Sequence, residues 1–232
     1  MALIENAKGR EEGGGSGYER LFGNHELGQL LSRVHATVIS SGTELEKIII
    51  GKAVNIHEVD KFLSHQVLQQ GTYLISKSAI KASHLKSDRE PDILIFKIAE
   101  NIQHCYIIEL KDGDTFDTKK AAGEVQNLID FENHISSKIR FTTSIHVCSF
   151  NQPNKDKIIA GFKRKITKEQ AMTGQELCTL LGLNYREIIN SRLSNQIKNV
   201  SYFIDGILRI DELREMVIEK LKTPIEKKNE LF

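Results

Sequence analysis

The sequence predicts an α/β fold with a mixed central sheet, and three features carry that expectation. Two short runs, ILIFKI and HCYIIEL, are rich in β-branched and aromatic residues and flank a polar break. A long helical pattern follows, KKAAGEVQNLIDFENHISSKI, with apolar residues three and four apart. A third run, RFTTSIHVCSF, returns as a strand after that helix. Hairpin, helix and returning strand build a mixed sheet flanked by helices.

The remaining elements are read in order. Residues 1–24 form a flexible N-terminal arm, because EEGGGSG cannot hold regular structure cheaply. HELGQLLSRVHATVISS is a helix, and GTELEKIIIGKAV is a second helical segment after Gly42. NIHEVDKFLSHQ is a short helix. KSAIKASHLKSDRE is a polar loop whose Lys77, Lys81 and Lys86 are placed to meet phosphate. Glu100-Asn101 forms a tight turn between the first two strands, since Asn tolerates φ > 0. Asp117 or Thr118 caps the long helix. GQELCTLLGL, YREIINSRL and DELREMVIEKLK make the C-terminal third mostly helical. The domain expectation is an arm at 1–24, a core at 25–152 and a helical region at 153–232.

Composition narrows the function classes. With 232 residues, 40% hydrophobic and 27% charged, the chain can bury an ordinary core. No apolar run approaches a membrane span of ~18 residues. MALIENAKGREE lacks the apolar stretch of a signal peptide. Three scattered cysteines give neither a disulfide framework nor a zinc knuckle, so a cytoplasmic setting is expected. The net charge is +1, but NKDKIIAGFKRKITK holds six Lys or Arg and one Asp. Lys163, Arg164 and Lys165 in that strip are candidate phosphate contacts.

Chemistry concentrates in PDILIFKIAENIQHCYIIELKDG, residues 91–113. With the turn at Glu100-Asn101, partner numbers sum to 201 and Asp92 faces Glu109. Alternation puts Lys111 on the same sheet face. Two carboxylates so close resist joint ionisation unless a cation joins them. A hard divalent ion such as Mg²⁺, with Mn²⁺ able to substitute, meets that need. A neighbouring lysine can hold or deprotonate an attacking water and stabilise transition-state charge. That is the chemistry of metal-assisted phosphodiester hydrolysis. The plainer alternative is a structural ion pair at a strand end.

Pro91-Asp92, sixteen intervening residues and Glu109-Leu110-Lys111 resemble the signature of the PD-(D/E)XK nucleases. The following helix and strand resemble that family's αβββαβ core, from about Gly42 to Phe150. The resemblance implies Mg²⁺-dependent DNA cleavage, with Asp92 and Glu109 as metal ligands. It implies the Leu110 backbone carbonyl as a third ligand and Lys111 as the water-activating group. Many members add an acidic residue from the preceding helix; GTELEKII offers Glu44 and Glu46, and Glu46 lies closer to the inward face of Leu45, Ile48 and Ile49. Glu124 and Gln126, on the later helix, are read chiefly as helix surface.

GQELCTLLGLNYREIINSRL has the cadence of a helix-turn-helix, with Gly182 in the turn. Tyr185, Arg186, Asn190 and Arg192 are then candidate base readers, since Arg suits guanine and Asn adenine. No nucleotide-cradling GxxxxGK[ST] pattern is present, and DGDTFD lacks the EF-hand alternation. The combined expectation is a type II restriction endonuclease cutting double-stranded DNA with Mg²⁺ as a homodimer, without a membrane. A palindromic target matches a two-fold protein. The alternatives are a repair or recombination nuclease of the same core, and a non-catalytic helix-turn-helix regulator.

Overall fold

The hairpin around Glu100-Asn101 lies at the centre of a five-stranded sheet. The computed structural model describes residues 1–9, 17–65, 68–113 and 121–222. Strands β2 (Ile93–Ala99) and β3 (Ile102–Lys111) pair antiparallel, from Ile93 with Ile108 to Ala99 with Ile102. Every pair sums to 201, the register that the turn predicts. β1 (Gly71–Ser76) adds antiparallel to β2. β4 (Thr142–Ser149) and β5 (Ala171–Thr173) add parallel beyond β3, giving the order β1-β2-β3-β4-β5. Parallel pairing demands a crossover, supplied by α5 (Ala121–Ser136) between β3 and β4. The caps read at Asp117 and Thr118 lie outside the described residues.

Both sheet faces are covered, which is why the strands read as continuous apolar runs. Leu94, Phe96, Ile98, Cys105 and Ile107 face one core, with Val125, Leu128 and Phe131 of α5. Phe96 meets Phe141 edge-on at a centroid distance of 4.7 Å. Ile93, Ile95, Ile108 and Leu110 face the other core. There they pack with Leu45 and Ile49 of α2 (His25–Lys52), Leu177 of α7 (Gly174–Leu181) and Ile188 of α8 (Tyr185–Leu208).

Several elements differ from the sequence expectation. α2, which follows the short α1 (Gly17–Phe22) and precedes α3 (Val59–Ser64), is one continuous helix rather than two segments broken at Gly42. A glycine inside a helix costs only about 1 kcal/mol, which tertiary packing overrides. Lys77–Lys81 is a short helix, α4, capped by the Ser76 hydroxyl, where a loop was expected. β1 and β5 were not expected. α6 (Lys155–Gly161) occupies the start of the basic strip, with the Asn154 side chain accepting from the amides of Asp156 and Lys157.

The chain divides into two units. Gly42–Ile189 contains the sheet and both cores. Met1–Ser41 and Asn190–Phe232 form a second, helical unit. The division expected at residue 152 does not coincide with these units, because 153–189 packs with the sheet. In the helical unit the first residues are tied down rather than loose. Asn195 donates to the Met1 carbonyl at 2.8 Å, and Asn199 donates to the Ala2 carbonyl at 2.8 Å. The Ile4 amide donates to the Asn199 side chain at 2.9 Å, and Ile4 is buried. Residues 10–16 of the expected arm lie outside the described residues. Among the described residues no helix is long and apolar enough to cross a membrane.

Candidate active site

β3 runs past the start of β2, and Asp92 sits where the β2 ladder ends. The Leu110 amide donates to Asp92 Oδ2 at 2.9 Å. Lys77, the first residue of α4, donates through Nζ to Asp92 Oδ1 at 3.2 Å. The Lys77 amide also donates to the Asp92 carbonyl at 3.0 Å. One aspartate thus fastens the end of β3 to the start of α4.

Lys111, two residues beyond Glu109 on the same face, lies between two carboxylates. Its Nζ is 2.8 Å from Glu109 Oε1 and 2.8 Å from Glu124 Oε1. Burial works against the Lys111 ammonium, but the Glu109 charge and hydrogen bond, joined by Glu124, outweigh it and raise its pKa. Burial, then the Asp92 charge, pushes the Glu109 carboxyl up; Lys111 opposes the rise. Glu46 on α2 is also raised, by burial and then by Asp92, while Lys77 and Lys111 pull it down. Glu46 therefore stands within the electrostatic reach of the same cluster. Arg89 completes the surroundings: its Nη1 donates to Asn127 Oδ1 of α5 at 2.7 Å.

Lys77, Arg89, Glu109 and Glu124 line a cleft of about 350 Å³ together with Lys81 and Asn127, among others. A second hollow of about 790 Å³ shares Asp88, Arg89 and Asn127 with it and adds Lys86, Gln126 and His134. Lys77, Lys81 and Arg89 therefore border the cleft beside the carboxylates Asp88, Glu90, Glu109 and Glu124.

The donors present fit a hard divalent cation. Four carboxylates (Asp92, Glu109, Glu124 and Glu46) face only two ammonium groups, Lys77 and Lys111. Full ionisation leaves two negative charges in a half-buried place, and oxygen donors of this kind suit Mg²⁺. Among the described residues no three His, Cys, Asp or Glu side chains are drawn together closely enough to enclose an ion. The lysines hold the carboxylates instead.

The other expected contacts are placed as follows. Lys163, Arg164 and Lys165 form an exposed turn between buried Phe162 and Ile166. Lys163 and Arg164 carry φ of 51° and 57°, a conformation costly for residues with a Cβ. The corner from α7 to α8 has the expected left-handed Gly182, at φ 69°. Its apolar residues pack onto the sheet, however, and two of its candidate readers are engaged. The Tyr185 hydroxyl donates to the Phe150 carbonyl at 3.3 Å, with its ring 5.3 Å from that of Phe150. Arg192 is only 4% exposed. Neither is presented to a groove as expected, whereas Arg186 and Asn190 are exposed.

The fold brings two further side chains, Glu124 and Lys77, to Lys111 and Asp92. By sequence pattern alone Glu124 reads as helix surface and Lys77 as part of a loop. The position of Glu124 was legible: it lies four residues before Leu128 and one before Val125, at the edge of the buried stripe. Gln126 does turn outward, donating to Asp130 at 2.8 Å.

No protein-family model matches the chain, and no solved structure matches it. The type II restriction enzyme HhaII of Haemophilus parahaemolyticus is 45% identical over 225 residues, covering 94% of this chain and 98% of that protein. UvrABC system protein C of Wolbachia pipientis subsp. Culex pipiens (strain wPip) is 26% identical over 163 residues, covering 67% of this chain and 25% of that protein. The mixed sheet and a likeness spanning nearly all of both chains lead to one conclusion: the chain belongs to the type II restriction enzymes.

Proposed function

We propose that Asp92, Glu109 and Lys111 form the hydrolytic centre of this sequence-specific endodeoxyribonuclease. It acts on double-stranded DNA with Mg²⁺, which Mn²⁺ can replace, and as a homodimer. The observation that carries the reading is the hairpin register, which places Asp92 against the Leu110 amide with Glu109 and Lys111 beside it.

Asp92 and Glu109 would hold the cation, with the Leu110 carbonyl as a third ligand and Glu46 adding negative charge nearby. A divalent cation bound there neutralises the carboxylates and supplies Lewis acidity toward the scissile phosphate. Lys111 Nζ is held between Glu109 and Glu124, each at 2.8 Å. It orients the attacking water and balances charge on the phosphate oxygens. The water oxygen bonds to phosphorus as the bond from phosphorus to one sugar oxygen breaks; the water gives up one proton to solvent, and the departing sugar oxygen takes one from solvent to leave as a hydroxyl. Lys77 holds Asp92 in place, and Lys81, Lys86 and Arg89 meet the DNA backbone along the cleft.

Plasmid digestion tests this reading. Discrete fragments form with Mg²⁺ or Mn²⁺, none with excess EDTA, and Ca²⁺ supports binding without turnover, because it occupies oxygen sites with looser geometry. Full cleavage in EDTA contradicts it.

DNA contacts separate by salt dependence. Lys163→Ala or Lys165→Ala weakens binding to all sequences alike and lowers the salt slope by about one phosphate contact. Arg186→Ala or Asn190→Ala, if these exposed residues read bases, costs specific binding roughly 1–3 kcal/mol and spares non-specific binding. Titration of target and scrambled duplexes with Ca²⁺ at several salt concentrations distinguishes them. Unchanged discrimination in both helix variants assigns base reading elsewhere.

A further inference from the structure

The helical unit carries an apolar surface that the hydrolytic site does not use. Thirteen of the fifteen exposed large apolar side chains among the described residues belong to Met1–Ser41 and Asn190–Phe232. Five of them line one side of α8: Leu193, Ile197, Val200, Ile204 and Leu208, from 39% to 76% exposed. The spacing of 4, 3, 4 and 4 keeps them on one stripe of the helix. Ordinary soluble monomers leave apolar residues exposed singly, not in such a row.

The opposite side of α8 is already used. Asn195 and Asn199 hold the first residues of the chain there. Tyr202 accepts a hydrogen bond from Arg33 at 2.7 Å, and Gly206 lies against Leu30. α9 (Asp211–Lys222) has no buried residue, and its Met216 and Leu221 are 53% and 75% exposed. α2 adds Val38 and Ile39, at 71% and 64%.

We propose that the α8 stripe is the surface by which two copies of this chain associate, antiparallel about a two-fold axis. The pattern is self-complementary: Leu193 of one copy meets Ile204 of the other, and Ile197 meets Val200. The residues bordering the stripe (Ser194, Gln196, Ser201 and Phe203) are uncharged, so a self-pair brings no like charges together. A charged partner finds nothing there to complement. The need for a second copy rests on the function proposed above. Cutting both strands takes two hydrolytic events, and the described residues contain one Asp92–Glu109–Lys111 centre.

The test is sedimentation equilibrium on DNA-free protein, which reads association independently of cleavage. Wild type sediments as two chains. Ile197→Glu combined with Ile204→Glu raises the dimer dissociation constant by about 100-fold or more, because charges enter an apolar seam. A second variant carries Leu193→Cys and Ile204→Cys. These positions lie ~16 Å apart along one helix, beyond disulfide reach within a chain, so oxidation links two copies. The native cysteines, Cys105, Cys148 and Cys178, are buried and do not compete. Cross-linking decides the matter if the glutamate variant fails to fold. Single-chain wild type at every concentration overturns the proposal. So does a folded glutamate variant with an unchanged dissociation constant, or a cysteine variant that never cross-links. Loss of the hydrolytic assignment would leave the sedimentation result standing, and the reverse also holds.

Discussion

Lys111→Ala lowers the single-turnover cleavage rate by about a thousandfold while the protein remains folded and binds DNA. Removing one preorganised donor from a transition state commonly costs 10²–10³ in rate, and here the lost group also carries the charge that separates Glu109 from Glu124. Folding survives because Lys111 is the last residue of β3 and belongs to neither core. Lys111→Arg does not restore the rate, since a planar guanidinium cannot place its donors as an ammonium does between the two carboxylates. A wild-type rate in Lys111→Ala removes the residue from the mechanism. Loss of binding together with cleavage would assign it to DNA contact instead.

The second large effect concerns stability. Gly174→Ala destabilises the protein by about 3 kcal/mol, read from the midpoint of chemical unfolding. A Cβ on Gly174 would run into the Phe150 carbonyl and lie 2.9 Å from the Phe150 and Tyr185 rings. That carbonyl already accepts the Tyr185 hydroxyl. α7 begins at Gly174 under a capping box in which Thr173 and Glu176 exchange hydrogen bonds, so the helix cannot slide away freely. The Phe150 amide donates to the Lys111 carbonyl at 2.8 Å, which carries any displacement back to Lys111 and the proposed site. Cleavage therefore falls with stability. An unfolding midpoint equal to wild type would show that the contact relaxes without cost.

The hairpin was legible because two constraints agree. A two-residue turn fixes register arithmetically, and apolar runs on both sides leave no other frame for burial. That register carried Asp92, Glu109 and Lys111, so the centre of the candidate site was read from one short stretch. β5 escaped notice because three residues offer no periodicity. β1 borders no tight turn to announce it; it is separated from β2 by α4 and a long connection. α2 was split at Gly42 because a glycine signals a break in sequence, while a buried stripe on either side holds one helix in the fold. The α7–α8 corner was legible in its Gly182 turn but not in what it buries. Its local pattern suits a helix-turn-helix, but Leu177, Ile188 and Tyr185 are spent on packing against the sheet. Local cadence does not reveal which face a corner must bury.

The central claim is that Asp92 and Glu109 together hold a divalent cation beside Lys111. Mn²⁺ binding, followed by electron paramagnetic resonance on the protein with bound DNA, tests it most directly. Asp92→Asn and Glu109→Gln keep size and hydrogen-bonding capacity and remove only charge. The account predicts that wild type binds Mn²⁺, and that each variant weakens binding by about tenfold or more while still holding DNA. Undiminished Mn²⁺ affinity in both variants would contradict it.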